Sequence, residues 1–262
     1  MRGGVEAAAW GVPVGFLGGL IGLGGGEFRI PVLLRRFGLA PGVVVPLNSV
    51  ISLITLCASL LFRAGSLSLS PLVPHLADIA ALTAGGLVAA LVGAGLVARL
   101  SDHRLHQAIL VLLVGLGLLL VVEGIVGTDV RLDFLPQDGV ARILTGVGLG
   151  AVIGMIATLL GVAGGELLIP TLVFIHGLDV KVAGSASLAI SIVVVASALL
   201  RYRLLGRLPR RDHVVGIGAP MGGGSIAGAA AGAALAAFAP SSALKVFLGL
   251  VLLAAAWVSA RR

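Results

Sequence analysis

Two carboxylates, Glu27 and Glu166, stand 139 positions apart, each following a run of glycines inside apolar sequence: GLGGGEFRIPVLL from Gly22 and GVAGGELLIPTLV from Gly161. At membrane depth a carboxylate can take up and release a proton, because low-dielectric surroundings favour its neutral form. It can equally cap the N–H groups of a helix that starts after the glycines, and the residues leave both roles open. Gly24, Gly25 and Gly26 in one copy, and Gly164 and Gly165 in the other, uncover backbone N–H donors. Each such group left unsatisfied in lipid costs several kcal/mol unless it lines a cavity or is buried in protein. Two helix N-termini meeting there would suit an anion. Pro31 and Pro170 are expected in the first turns of the short helices, where a missing N–H does little harm.

Other polar residues fall where they can complete such a site. Arg29 occurs in one copy only, with Leu168 opposite it. A guanidinium can hold a sulfonate or carboxylate through two hydrogen bonds; the competing roles are an ion pair with Glu27 or snorkelling to headgroups. Asn48, Ser49 and Ser52 follow the first break, and Ser185, Ser187 and Ser191 follow the second. They can supply donors to a tetrahedral anion or ordinary bonds between helices. His103 and His106 form an HxxH without a neighbouring third ligand, so no metal is expected, and no cofactor motif occurs. GLGGG lacks the spacing and context of a dinucleotide loop, and no GxSxG, HExxH or P-loop is present, which argues against an enzyme.

These residues need a membrane scaffold. With 58% hydrophobic and 11% charged residues over 262 positions, and a mean hydropathy of +1.16, the chain reads as an all-α polytopic membrane protein. The net charge of +7 comes from short basic clusters between apolar runs, without interleaved aromatics, so nucleic acid is not an expected partner. Cys57, the sole cysteine, reads as a small core residue. Residues 1–23 have the look of a secretory signal, but their second copy at 142–162 makes them a structural element.

The chain is expected to form one membrane domain, 1–262, of two homologous halves: repeat 1 over about 5–126, a linker at 127–141 and repeat 2 over about 142–259. Each half reads as a glycine-broken helix plus three transmembrane helices. Helices are expected near 5–23, 28–37, 43–62, 76–98 and 108–126, then 142–162, 166–176, 181–201, 214–238 and 243–259. Gly224, Gly228 and Gly232, and their counterparts Gly85, Ala89 and Gly93, form small-residue stripes for close packing, within the chain or in a homodimer. If each broken element returns to its starting side, the halves are inverted. Arg2, Arg35, Arg36, Arg99, Arg104, Arg201, Arg203, Arg207, Arg210, Arg211, Arg261 and Arg262 then share one face, opposite Arg63, Arg131, Arg142, Lys181 and Lys245 beside Asp129, Asp133 and Asp138, which suits the positive-inside rule.

The paired glycine signature, and the wider four-helix duplication, resemble the sulfite exporter TauE/SafE family over nearly the whole chain. That resemblance implies a multi-pass cytoplasmic (inner) membrane permease for sulfite, organosulfonates or related small anions. The function expected is secondary transport by alternating access, with Gly24–Gly26, Gly164, Gly165, Arg29, Asn48, Ser49, Ser185 and Ser187 holding cargo and Glu27 and Glu166 available for protons. A passive anion channel and a noncatalytic membrane subunit are the alternatives.

Overall fold

The computed structural model describes residues 2–68, 70–96, 114–115, 117–122, 124–126, 139–160 and 162–260. Among them there is no strand, and six helices are long and apolar enough to cross a membrane. The chain is a multi-pass membrane protein. We number the helices α1 (Arg2–Ile21), α2 (Gly26–Pro31), α3 (Pro41–Ser66), α4 (Leu76–Leu96), α5 (Gly139–Leu160), α6 (Gly165–Pro170), α7 (Val180–Leu204), α8 (Arg211–Phe238) and α9 (Ser241–Ala260). Most of the helix expected near 108–126, the linker at 127–138, and His103 and His106 lie outside the described residues.

The breaks form where glycine alone fits. Gly22 has a φ of 100°, and a Cβ there would overlap the backbone of Gly184 on α7. Gly25 and Gly164, at φ of 66° and 79°, are the N-caps of α2 and α6. Pro31 and Pro170 are not in the first turns as expected; each is the sixth and last residue of its short α-helix. A five-residue π-helical segment follows each, Val32–Arg36 and Thr171–Ile175. The proline cannot donate to the carbonyl four residues back, and the ladder continues with wider spacing, as in Phe37 N–H to Val32 O at 3.2 Å and His176 N–H to Thr171 O at 3.4 Å. Gly38 and Gly177 then end both segments in the left-handed region.

Each broken element doubles back. At about 1.5 Å per residue, α1 carries the chain about 22 Å from Glu6 to Ile21, yet Arg36 returns to pair with Glu6. In the second half Arg142, near the start of α5, and His176, past the π segment, meet on one carboxylate, that of Asp78. The third helices run antiparallel. Arg63, late in α3, bonds to Lys181 and Ser185 at the start of α7, while Ser49, early in α3, lines a cavity with Tyr202 at the end of α7.

Glycine stripes bring the remaining helices together. Cβ atoms at Gly224, Gly228 or Gly232 of α8 would overlap the α1 backbone, and ones at Gly11, Gly15 or Gly19 would overlap that of α8. Gly85 on α4 and Gly150 on α5 stand in the same relation. So each repeat's first helix packs against the fourth element of the other repeat, counting the short helix as the second. Asp78 receives two bonds from Arg142, at 2.8 and 2.7 Å, and lies 3.3 Å from His176 Nδ1. Burial pushes the His176 imidazole below its ordinary 6.5, against the upward pull of Asp78. Cys57 is not a core residue. It is exposed on α3, whose length makes that surface lipid-facing.

Candidate binding site at the paired breaks

The two breaks touch. A Cβ at Gly24 would overlap that of Ala163, one at Gly26 would fall 3.2 Å from Val162 Cα, and one at Gly165 would fall 3.3 Å from Gly22 O. α2 and α6 start from this contact, and within each helix the first N–H groups have no carbonyl a turn earlier to receive them. Gly22 through Gly26, and residues 162–170, are buried, except that the side chain of Glu27 lies outside the described residues. Glu166, the second residue of α6, is buried at 7% exposure.

Polar side chains from α3 and α7 close over the breaks in matching positions. Asn48 Nδ2 donates to Gly26 O at 3.4 Å, and Ser187 Oγ donates to Gly22 O at 3.5 Å. Any side chain at Gly26 would strike Asn48, 2.7 Å from its first carbon, and one at Gly165 would press on Ser187 at 3.3 Å. Both polar residues are fully buried.

Arg29 breaks the symmetry. Its guanidinium, 1% exposed, donates to Thr55 Oγ1 at 3.1 Å, to Ser52 Oγ at 3.0 Å and to the Gly24 carbonyl. In the second repeat, with Leu168 in place of arginine, Ser191 Oγ bonds the matching Ala163 carbonyl directly at 2.8 Å. Arg29 therefore does not snorkel. It is inserted between a serine and a carbonyl that bond each other in the other copy.

The remaining predicted residues separate. Ser49 bonds back to Val45 O at 3.0 Å and lines a small, water-sized cavity between α3, α5 and α7. Ser185 is drawn away from the breaks, accepting from Arg63 Nε at 3.2 Å and donating to Lys181 O at 3.3 Å. Thr55, which the sequence reading did not select, seats Arg29 together with Ser52, and Arg63, assigned from sequence only to a charged face, is fully buried. An arginine inside the apolar run CASLLFRAGS was the available signal, since an ionisable residue within a membrane helix needs a partner or a purpose.

Paired, broken helices in a multi-pass bundle are an arrangement also used by membrane transport proteins. Residues 147–262, less than half of the chain, match the family model described as sulfite exporter TauE/SafE, a family of transport proteins, in agreement with the resemblance carried by the glycine signature. No curated protein and no solved structure matches the chain.

Proposed function

We propose that the chain is a secondary transporter that moves a small anion, such as sulfite, an organosulfonate or a related sulfur-containing or carboxylate anion, across the cytoplasmic membrane by alternating access. The carrying observation is the contact between the two breaks beneath Asn48 and Ser187. Backbone donors from both copies converge there, and Asn48 and Ser187 orient the cargo. Arg29 supplies the positive charge, acting through Ser52 and Thr55 until cargo draws it out. Glu27 and Glu166 carry protons: a carboxylate beside an anion must be neutral for the anion to enter, so cargo and proton move together.

The doubling back of both first elements and the antiparallel α3 and α7 support inverted repeats, which give a protein two related conformations open to opposite sides. The face bearing Arg35, Arg36, Arg201, Arg203, Arg207, Arg210 and Arg211 is the cytoplasmic one, and so is the amino terminus beside it. The test is uptake of sulfite, sulfoacetate, taurine, acetate and chloride into proteoliposomes, with and without a pH gradient. Saturable uptake of one anion class, accelerated by the gradient and lost in Asn48→Ala, is expected. Linear, voltage-following conductance makes the protein a channel, and no flux of any anion removes the proposal.

A further inference from the structure

The water-sized cavity between α3, α5 and α7 borders the second break. It is lined by Val162 of the break, by Ser49 and Thr158, and then by Ala198 and Tyr202 along α7 toward the arginine-rich face. The Thr158 hydroxyl is buried on this wall and has no hydrogen-bond partner among the described residues. The repeat offset of 139 positions places Gly19, Ser59 and Arg63 where the second copy has Thr158, Ala198 and Tyr202. A matching space is therefore expected in the first copy, leading to the opposite face because α3 and α7 run antiparallel.

That space is filled by one side chain. Arg63, 0% exposed, reaches over Gly19 and donates Nη1 to the Gly19 and Leu20 carbonyls, each at 2.8 Å, and Nη2 to Lys181 O at 2.6 Å. Nε donates to Ser185 Oγ at 3.2 Å. A side chain at position 19 would overlap Ala229, so glycine there both admits α8 and leaves its carbonyl open to Arg63. Beside it Ser59, also 0% exposed, has a hydroxyl with no partner among the described residues. It is a polar wall group matching Thr158 in function if not in position.

We infer that Arg63 is the gate of the second passage: a water-sized cavity beside Thr158 marks the path from the breaks toward the arginine-rich face, and the matching path toward the other face is sealed by the Arg63 guanidinium. This rests on the anion-transport reading of the breaks. Every bond that holds Arg63 here ends on a neutral oxygen, and a desolvated cation prefers an anion to a carbonyl. Cargo arriving from the breaks draws Arg63 off the Gly19, Leu20 and Lys181 carbonyls, which unties α1 from α7 and opens the passage. Arg63 then selects for negative charge at the constriction.

The test uses thiol reporters in a Cys57→Ser background, with an anionic membrane-impermeant thiosulfonate applied to vesicles of either orientation. With Arg63 present, Thr158→Cys is expected to react from the arginine-rich side only, and Ser59→Cys from neither side. Combining Ser59→Cys with Arg63→Gln should raise its reaction from the opposite side by at least about tenfold, because thiol modification follows access. Arg63→Lys, which cannot span all the carbonyls, should give an intermediate rate. Ser59→Cys reacting freely with Arg63 in place, or staying silent in both Arg63 variants, overturns the gate. Failure of both variants to fold also overturns it, leaving Arg63 as a structural tie. Labelling needs no cargo, so opening without anion flux in the wild type would reject the transport reading and leave the gate standing.

Discussion

At the scale of single residues, the two copies serve as controls for each other. Arg29 lies between Ser52 and the Gly24 carbonyl, whereas Ser191 reaches the Ala163 carbonyl with nothing between. Arg29→Leu copies the second arrangement, because Ser52 is then free to take the Gly24 carbonyl. We expect its stability to fall within about 1–2 kcal/mol of wild type, since one set of hydrogen bonds replaces another and a buried charge is removed. Arg29→Lys keeps the charge without the planar fork and should be the less stable of the two by denaturation midpoint. Anion-dependent thermal stabilisation should vanish in Arg29→Leu; its persistence would take Arg29 out of the cargo site. The spacing of glycine, acid and proline made these positions legible in sequence. The engagement of Arg29 with Ser52 and Thr55, 23 and 26 positions away, was not legible, because no local pattern reports which helix faces which.

At the scale of elements, close helix contact is set by glycine. Gly228 sits where any side chain would enter the α1 backbone at Val12 and Phe16, while Gly223 on the same helix has open space around it. Gly228→Leu is expected to cost about 1–3 kcal/mol through forced separation of α1 and α8. Gly223→Leu should be neutral or slightly stabilising, because leucine is the better helix former. Thermal melts of the two in one detergent decide it, and equal melting points would remove the stripe as the reason for the packing. The joint of Asp78, Arg142, His75 and His176 gives a second prediction. Native burial holds His176 below 6.5, so the unfolded chain binds the proton more readily. The contribution is complete above that value and is lost as pH falls below it toward the native pKa. The melting temperature should therefore drop more steeply in wild type than in His176→Gln between about pH 7 and about pH 5. Parallel curves would place the acid sensitivity elsewhere.

At the scale of the molecule, charge and topology agree. Residues 35 and 36 return to the start of α1, and α7 ends on the same face, so the arginines after Leu200 join them. The opposite face carries Asp78, Asp179, Arg142 and Lys181, with charges of both signs. On our proposal the arginine-rich face is the cytoplasmic one, as the positive-inside rule predicts. In a Cys57→Ser background, Arg207→Cys should react with an impermeant maleimide only after cells are opened, and Ser70→Cys in intact cells. The reverse pattern inverts the protein in the membrane, and reaction of both in intact cells breaks the alternation of α3, α7 and their loops.

Sequence alone was enough to recognise a multi-pass helical membrane protein. Apolar runs of bilayer length and a duplication marked by glycine are one-dimensional properties, and helices in lipid satisfy their own backbone bonds, so their ends follow from local composition. It also located both breaks, since consecutive glycines followed by a short apolar helix is a local signal. Three features come from the tertiary structure alone: the breaks touch, Ser185 serves Arg63 instead of the breaks, and Arg63 is buried against the Gly19 and Leu20 carbonyls. Each of these depends on groups more than 40 positions apart, held by side-chain packing that periodicity does not encode. The two prolines show the limit at short range. Their effect was read from position alone; helices that start at Gly26 and Gly165, ahead of the expected 28 and 166, place each proline sixth, where it widens the helix instead of starting it.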